Sequence, residues 1–304
     1  MLNLTKYAKC GRNVNVYVKI DRLIGCGIGR ISQENDQRSM AKIIIQIYEV
    51  QTPSEADKLL DLGVDHIGSV IVSKASLKVP AILETIRLIQ DRGGKSTLIP
   101  LFDDLDAISF MLDYYGPDIV HFCEVITLGN GLSDFCKKLV QMQKSIKNKF
   151  PGIKIMRSIP ISKTRNRAPV ETSELACLFE PVSDYFLTDT LITDPSGSVF
   201  DLQPVKGFVG ITGQICDWGT AAKLVQTSRI PVILGGGICP ENVFNGIVNV
   251  LPAGVDSCTG TNAVDPKGRP VRFKKDLLKV KHLIEETRRA EKKLDTAEPG
   301  RSGC

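Results

Sequence analysis

No stretch of the 304-residue chain holds the roughly 18 uninterrupted apolar residues that a membrane-spanning helix needs. Its opening segment, Met1 to Arg12, also lacks the apolar core of a secretory signal. The expectation is a cytoplasmic protein with no membrane partner. Aromatic residues supply only 6% of the chain, with one tryptophan, which leaves no stacking platform for nucleic acid. The nine cysteines, at 10, 26, 123, 136, 177, 216, 239, 258 and 304, include no C-x-x-C pair and no metal-ligand spacing. They read as reduced thiols, and neither a metal nor a cofactor is expected.

An excess of one charge is also missing from the body of the chain. The formal charge of +5 suggests an acidic partner until it is divided by region. Residues 1–40 carry seven basic and three acidic side chains, and residues 265–304 carry twelve and seven. The 224 residues between them carry 20 and 24, a slightly acidic body that argues against a nucleic-acid surface.

From Ala41 onward, short β-branched runs alternate with amphipathic stretches, the pattern of βα units around a parallel sheet. Eight buried strands are expected: Ile43–Tyr48, His66–Val72, Thr97–Phe102, Ile119–Phe122, Ile153–Ile159, Tyr185–Thr190, Pro231–Gly235 and Gly254–Cys258. The helical stretches are Pro53–Leu62, Pro80–Asp91, Leu105–Tyr115, Ser133–Lys149, Thr172–Phe179, Asp217–Gln226, Pro240–Asn249 and Lys274–Lys292. Eight such units in about 250 residues fit a closed (βα)8 TIM barrel over 41–290, with an N-terminal extension (1–40) and a disordered tail (291–304). A doubly wound open sheet would show a glycine-rich turn after its first strand, and Tyr48-Glu49-Val50-Gln51 is no such turn. Gly25-Cys26-Gly27-Ile28-Gly29 has the wrong spacing for a nucleotide loop, and no helical pattern follows it.

Ligands of such barrels sit at the carboxyl ends of the strands, with phosphate commonly held after strands seven and eight. The seventh is followed by Gly235-Gly236-Gly237-Ile238-Cys239-Pro240-Glu241, a turn bare of side chains that feeds a helix start. The eighth is followed by Asp256-Ser257-Cys258-Thr259-Gly260, which adds hydroxyl donors. Together they predict an anion cradle built from backbone N–H groups.

Six runs in fixed order carry a resemblance: Thr52-Pro53-Ser54-Glu55-Ala56, Leu62-Gly63-Val64-Asp65-His66-Ile67-Gly68, Phe186-Leu187-Thr188-Asp189-Thr190, Gly210 to Trp218, Gly236 to Val243, and Gly254 to Gly260. In order and spacing the chain resembles the phosphoribosylanthranilate isomerase family over roughly residues 42–287. The resemblance implies an eightfold barrel and an Amadori rearrangement, in which a phosphoribosylamine ring opens and a proton moves from C2′ to C1′. It implies a small phosphoribosyl substrate, a monomer or homodimer, and a phosphate site that includes Gly210, Gly213, Gly235, Gly236, Gly237, Asp256, Ser257, Thr259 and Gly260. It also assigns the ring-opening acid to Asp189, the only carboxylate closing an otherwise uncharged strand.

The chain departs from the family on the opposite side of the site. Where the family has its base cysteine, this sequence has Tyr48, which makes Tyr48 the second catalytic candidate, although a phenol with a pKa of about 10 is a poor base near neutrality unless a cation lowers it. Its neighbour Glu49 should alternate outward on the strand. The second βα loop, Ser73 to Pro80, lacks the arginine that holds the anthranilate carboxylate, with Lys74 or Lys78 as the substitutes available. Gln214 replaces a lysine, and the segment from Thr190 to Gly210 is long enough to form a lid. His121 and Arg157 are further candidates, the first as a residue facing the mouth or a core histidine, the second as an anion contact or a partner of a barrel carboxylate. The departures keep two alternatives open: another sugar-phosphate isomerase or lyase on the same barrel, or a catalytically silent phosphate-metabolite-binding paralogue.

Overall fold

The structure, a computed structural model, describes residues 42–128, 133–163, 171–192 and 203–297. From Ile44 onward it alternates β1 (Ile44–Tyr48), α1 (Pro53–Leu62), β2 (His66–Ile71), α2 (Pro80–Asp91), β3 (Lys95–Pro100), α3 (Leu105–Tyr115), β4 (Ile119–Phe122) and α4 (Asp134–Lys149). The pattern continues with β5 (Lys154–Ser162), α5 (Thr172–Phe179), β6 (Tyr185–Leu191), α6 (Trp218–Thr227), β7 (Val232–Leu234), α7 (Val243–Val250) and β8 (Gly254–Ser257). The eight strands are parallel, and β1 pairs with both β2 and β8, which closes the barrel.

Local chemistry starts the helices where the sequence places them. The Thr52 hydroxyl accepts from the Glu55 N–H ahead of Pro53, and α1 stops at Gly63 with φ +98°. Asp104, Ser133 and Asp217 cap α3, α4 and α6 in the same way. Helix α7 is an exception: it begins at Val243, three residues after the expected Pro240, because the Asn242 carboxamide accepts from Cys239 N–H and donates to the Gly237 carbonyl, folding 237–242 into a turn.

Strands covered by helices outside and side chains inside are buried on both faces, so they read as continuous apolar runs. One cluster, with Tyr48, Val70, Ile99, Met156, Leu187 and Ile233, fills the barrel interior, while two larger ones lie between the strands and the helices.

Two features depart from the sequence expectation. Between β8 and the last helix stands an antiparallel hairpin, β9 (Asn262–Val264) and β10 (Pro270–Lys275), so Lys274 and Lys275 are strand residues and α8 begins at Leu277. The final helix then runs to Ala297, past the expected barrel limit at 290, with Leu294 packing on the core and Glu291 bound by Arg288. Residues 298–304 of the expected tail and the 1–40 extension lie outside the described residues, as does 193–202 of the lid segment.

No helix among the described residues is long and apolar enough to cross a membrane. Among the described residues, Cys123, Cys136, Cys216, Cys239 and Cys258 are free thiols.

Candidate active site

The carboxyl ends of the strands open onto two adjoining cavities. The first, of about 50 Å³, is lined by Tyr48, Glu49, His121, Asp189, Gly210, Asp256 and Cys258 among apolar walls that include Val70, Ile99 and Leu187. The second, about 30 Å³, is lined by Asp189, Ile211, Thr212, Gly213, Gly236, Gly237, Ile238, Asp256, Cys258 and Thr259. Three separate βα loops thus meet on one small space, with Asp189 and Asp256 lining both cavities.

Asp189 sits near the end of β6, opposite Pro160 of β5. Its carboxylate accepts from the Thr190 N–H at 2.8 Å, while burial pushes its pKa up to about 7. Gly210 stands against this carboxylate with φ +112°, and a Cβ there would overlap Asp189 Oδ2. The loop can approach the acid only without a side chain. Asp256 on β8 takes a hydrogen bond from Gln46 Nε2 at 3.2 Å, and burial pushes it up to about 8. The Gln46 carboxamide oxygen in turn meets His66 Nδ1 at 3.3 Å, so a small polar layer lies beneath the cavity.

The glycine turn after β7 is held closely. A Cβ on Gly237, at φ +70°, would lie 2.5 Å from the Gln214 carbonyl carbon. Gln214 therefore packs its backbone against this turn, and its carbonyl accepts from the Thr190 hydroxyl. Gly213 packs against the Thr259 side chain, and both line the second cavity. Ser257, Gly235 and Gly260 do not line it. The Ser257 hydroxyl donates to the Ile238 carbonyl at 2.7 Å, Gly235 exchanges hydrogen bonds with Thr188, and Gly260 packs on Ile238. These three hold the shape of the cradle from behind.

Tyr48 is in the cavity wall, with its ring against Gly68 and 5.3 Å from the His121 ring. Its hydroxyl lies 3.6 Å from Met156 Sδ, and burial, followed by the charge of Asp256, raises the phenol well above its ordinary value. That placement does not suit a proton acceptor. His121 Nε2 meets the Ser158 hydroxyl at 2.8 Å, and burial followed by the Arg157 charge lowers its pKa to about 3, leaving a neutral ring. Arg157 takes the structural role: fully buried and outside both cavities, it donates to Glu124 Oε2 at 2.5 Å and lies over the Phe179 ring.

Neither lysine of the second βα loop reaches the mouth. Lys74 pairs with Asp104 at 3.5 Å, and Lys78 lies over Phe110 and Tyr114.

The sequence reading misplaced one residue and passed over its partner. Glu49 has φ +62°, which ends the strand alternation and turns the side chain inward, so it is buried and lines the first cavity. Arg272 of β10 donates to its Oε1 at 2.6 Å. The hairpin that carries Arg272 was signalled by Asp265-Pro266-Lys267-Gly268, in which Asp265 accepts from the Gly268 N–H as a turn residue does.

Above the site, part of the β6–α6 loop is fixed in place. Val125 N–H donates to the Gly207 carbonyl and Val209 N–H to the Cys123 carbonyl, both at 2.8 Å, and Glu124 bridges Phe208 in antiparallel fashion. Val205, Phe208 and Val209 thereby form the roof of the first cavity.

No family model matches the chain. The N-(5′-phosphoribosyl)anthranilate isomerase of Methanosarcina acetivorans is 31% identical over 257 residues, which cover 83% of this chain and 95% of that protein. Shorter matches reach 34% over 146 residues with isomerase 2 of Methanosarcina mazei and 31% over 145 residues with the Methanocella arvoryzae enzyme. Those two alignments span 57% and 55% of the relatives, a little over half their length. Among solved structures, phosphoribosylanthranilate isomerases of Thermotoga maritima and Pyrococcus furiosus superimpose with TM-scores of 0.55 and 0.54. They are 20% and 18% identical, cover 81% of this chain and are themselves covered over 98% and 99%, a likeness of fold. The full-length match to the M. acetivorans protein, on a closed eightfold barrel whose β6 aspartate and glycine turns meet at one mouth, makes this chain a member of the phosphoribosylanthranilate isomerase family.

Proposed function

We propose that the protein isomerises N-(5′-phosphoribosyl)anthranilate, the step of tryptophan biosynthesis for which its relatives are named. The observation that carries this reading is the convergence of Asp189 with the backbone of Gly213, Gly236 and Gly237 on one cavity at the strand ends. A carboxyl group raised to about 7 is partly protonated at neutral pH, so Asp189 can give a proton to the furanose ring oxygen as the C1′–O bond opens. The glycine turns, with Thr259, offer side-chain-free backbone to a phosphate and hold the sugar in register with that acid. The Methanosarcina match and the reduced thiols support a cytoplasmic enzyme, as monomer or homodimer. One Thermotoga maritima relative is dimeric.

The test is turnover by the purified, folded chain, followed through loss of the anthranilate-substituted substrate, together with rescue of a tryptophan auxotroph. Turnover and rescue are expected; a folded protein that does neither ends the reading. A second reading, another ribose or ribulose phosphate reaction on the same cradle, is favoured by one observation: Lys74 and Lys78 are engaged away from the mouth, so neither supplies the missing arginine. A thermal-shift panel separates the two, since a ligand at 100 times its Kd stabilises by about 2.7 kcal/mol. A preference for anthranilate-bearing ligands supports the first reading, and indifference to that group supports the second.

A further inference from the structure

The rearrangement needs a proton acceptor facing C2′, and the residue at the position of the family's cysteine is a phenol pointed at a thioether. The groups that line the first cavity narrow the alternatives. Asp256 is buried, hydrogen-bonded by Gln46 and pushed up to about 8, so at neutral pH it holds its proton. Burial keeps the Cys258 thiol well above its ordinary value, and the His121 ring, lowered to about 3, accepts protons weakly.

Glu49 differs from all of these in how it is built. It is 1% exposed, and its Oε1 is clamped by both Arg272 Nε, at 2.6 Å, and a second guanidinium nitrogen at 2.5 Å. Its Oε2 is buried with no hydrogen-bond partner among the described residues. The backbone beneath it is held at φ +62°, a conformation that residues with side chains rarely adopt and that accumulates at working sites. Without that twist the side chain would follow the strand alternation and leave the cavity. A buried carboxylate with one oxygen tethered to a cation and the other unpaired, on a residue that lines the cavity, has the geometry of an oriented base.

We propose that Glu49 is the proton acceptor of this enzyme, in place of the family's cysteine, and that Arg272 of the β9–β10 hairpin is its positioning residue. The proposal rests on the isomerase reading above. Strand β1 stands three places round the barrel from β6, which puts Glu49 and Asp189 in different parts of the same cavity wall.

The step balances without any outside reagent. Asp189 gives its proton to the ring oxygen as the C1′–O bond breaks and the nitrogen lone pair forms C1′=N. Glu49 takes the C2′ proton; the C–H electron pair becomes C1′=C2′, and the C1′=N π pair returns to nitrogen. The enol O–H proton then passes to Asp189 as the C2′ carbonyl forms, and C1′ receives the proton held by Glu49. Both carboxyl groups end as they began, and the product is the 1-amino-1-deoxyketose.

The experiment uses Glu49→Gly, because glycine accepts φ +62° and the variant should therefore fold. Its kcat should fall by about 10²- to 10⁴-fold with KM within about threefold of the native value. Added formate, a carboxylate small enough for the vacated space, should restore turnover in a saturable way. In that background, Arg272→Gln should raise the formate concentration needed for half-maximal rescue, which a merely structural arginine would not do. In the native background Glu49→Asp should retain more turnover than Glu49→Gly. The proposal is overturned if native protein is active, Asp189→Asn is inactive and Glu49→Gly keeps kcat within about threefold. It is also overturned if formate has no effect on a folded, inactive Glu49→Gly protein. Native protein without turnover ends the isomerase reading and this proposal together, so the two failures are told apart by the native control.

Discussion

The two sides of the barrel mouth have been treated differently. Around β6, β7 and β8 the chain has the features through which its sequence resembles the family: an aspartate at the end of β6 and glycine turns whose backbones touch one another with no room for a methyl group. Around β1 and β2 it has been rebuilt, with a phenol at the cysteine position, an inward glutamate beside it, no arginine in the loop after β2 and a hairpin bringing a guanidinium from the far end of the chain. The side proposed to hold phosphate depends on close backbone approach, which few sequences satisfy. A proton acceptor needs only a basic atom in the right place, and another residue can supply it from a neighbouring position.

This contrast can be tested from both sides. The largest effect belongs to Asp189→Asn, which should lower kcat by about 10³-fold, measured by steady-state turnover. The same variant probes the energetics. Burial lifts the folded pKa of Asp189 to about 7 from an ordinary value near 3.9, so folding favours the protonated form. Its contribution to stability is complete below about pH 4 and is lost as pH rises through about 7. Asp189→Asn should therefore match the native protein in urea titrations near pH 4 and exceed it by on the order of 2–4 kcal/mol at pH 8. A variant that stays no more stable at pH 8 would mean the carboxyl is well solvated.

Next is Gly237→Ala. A Cβ 2.5 Å from the Gln214 carbonyl carbon, at φ +70°, has backbone on one side and strain on the other. Destabilisation by about 2–3 kcal/mol and a raised KM are expected from denaturation and kinetics. A wild-type-like KM would break the contrast by making the cradle tolerant. The smallest effect should come from the rebuilt side: Tyr48→Phe removes a hydroxyl whose described partner is the Met156 thioether. Turnover within about twofold and a stability change below about 1 kcal/mol are expected. A loss of 10²-fold would return Tyr48 to the chemistry.

How much of this was readable without coordinates follows the same division. The eight strands were legible because parallel strands buried on both faces leave unbroken β-branched runs, and α1 was legible from Thr52, Pro53 and Gly63. Asp189 and the paired glycine turns were legible because each sits at a fixed place relative to a strand end. Glu49 was not, because alternation along β1 fails at one residue with positive φ, and nothing about a glutamate announces that conformation. Arg272 lies 223 residues from its partner, a pairing no local pattern encodes. The hairpin itself was announced by its Asp-Pro-Lys-Gly turn, but the amphipathic pattern of α8 reads back into β10 and conceals it. Ser257 was placed in the right loop, but its hydroxyl direction, toward the Ile238 carbonyl, depends on the neighbouring strand.

The roof over the first cavity has a kinetic consequence. Segment 207–209 is joined to 123–125 by two backbone hydrogen bonds of 2.8 Å and an antiparallel bridge, so two loops that are distant in sequence share one short ribbon. Neither can lift while the other stays unless both bonds break at once. Substrate entry and product escape should therefore follow a single cooperative opening, with one rate constant that varies with solvent viscosity and sets an upper limit on turnover however fast the proton transfers beneath it.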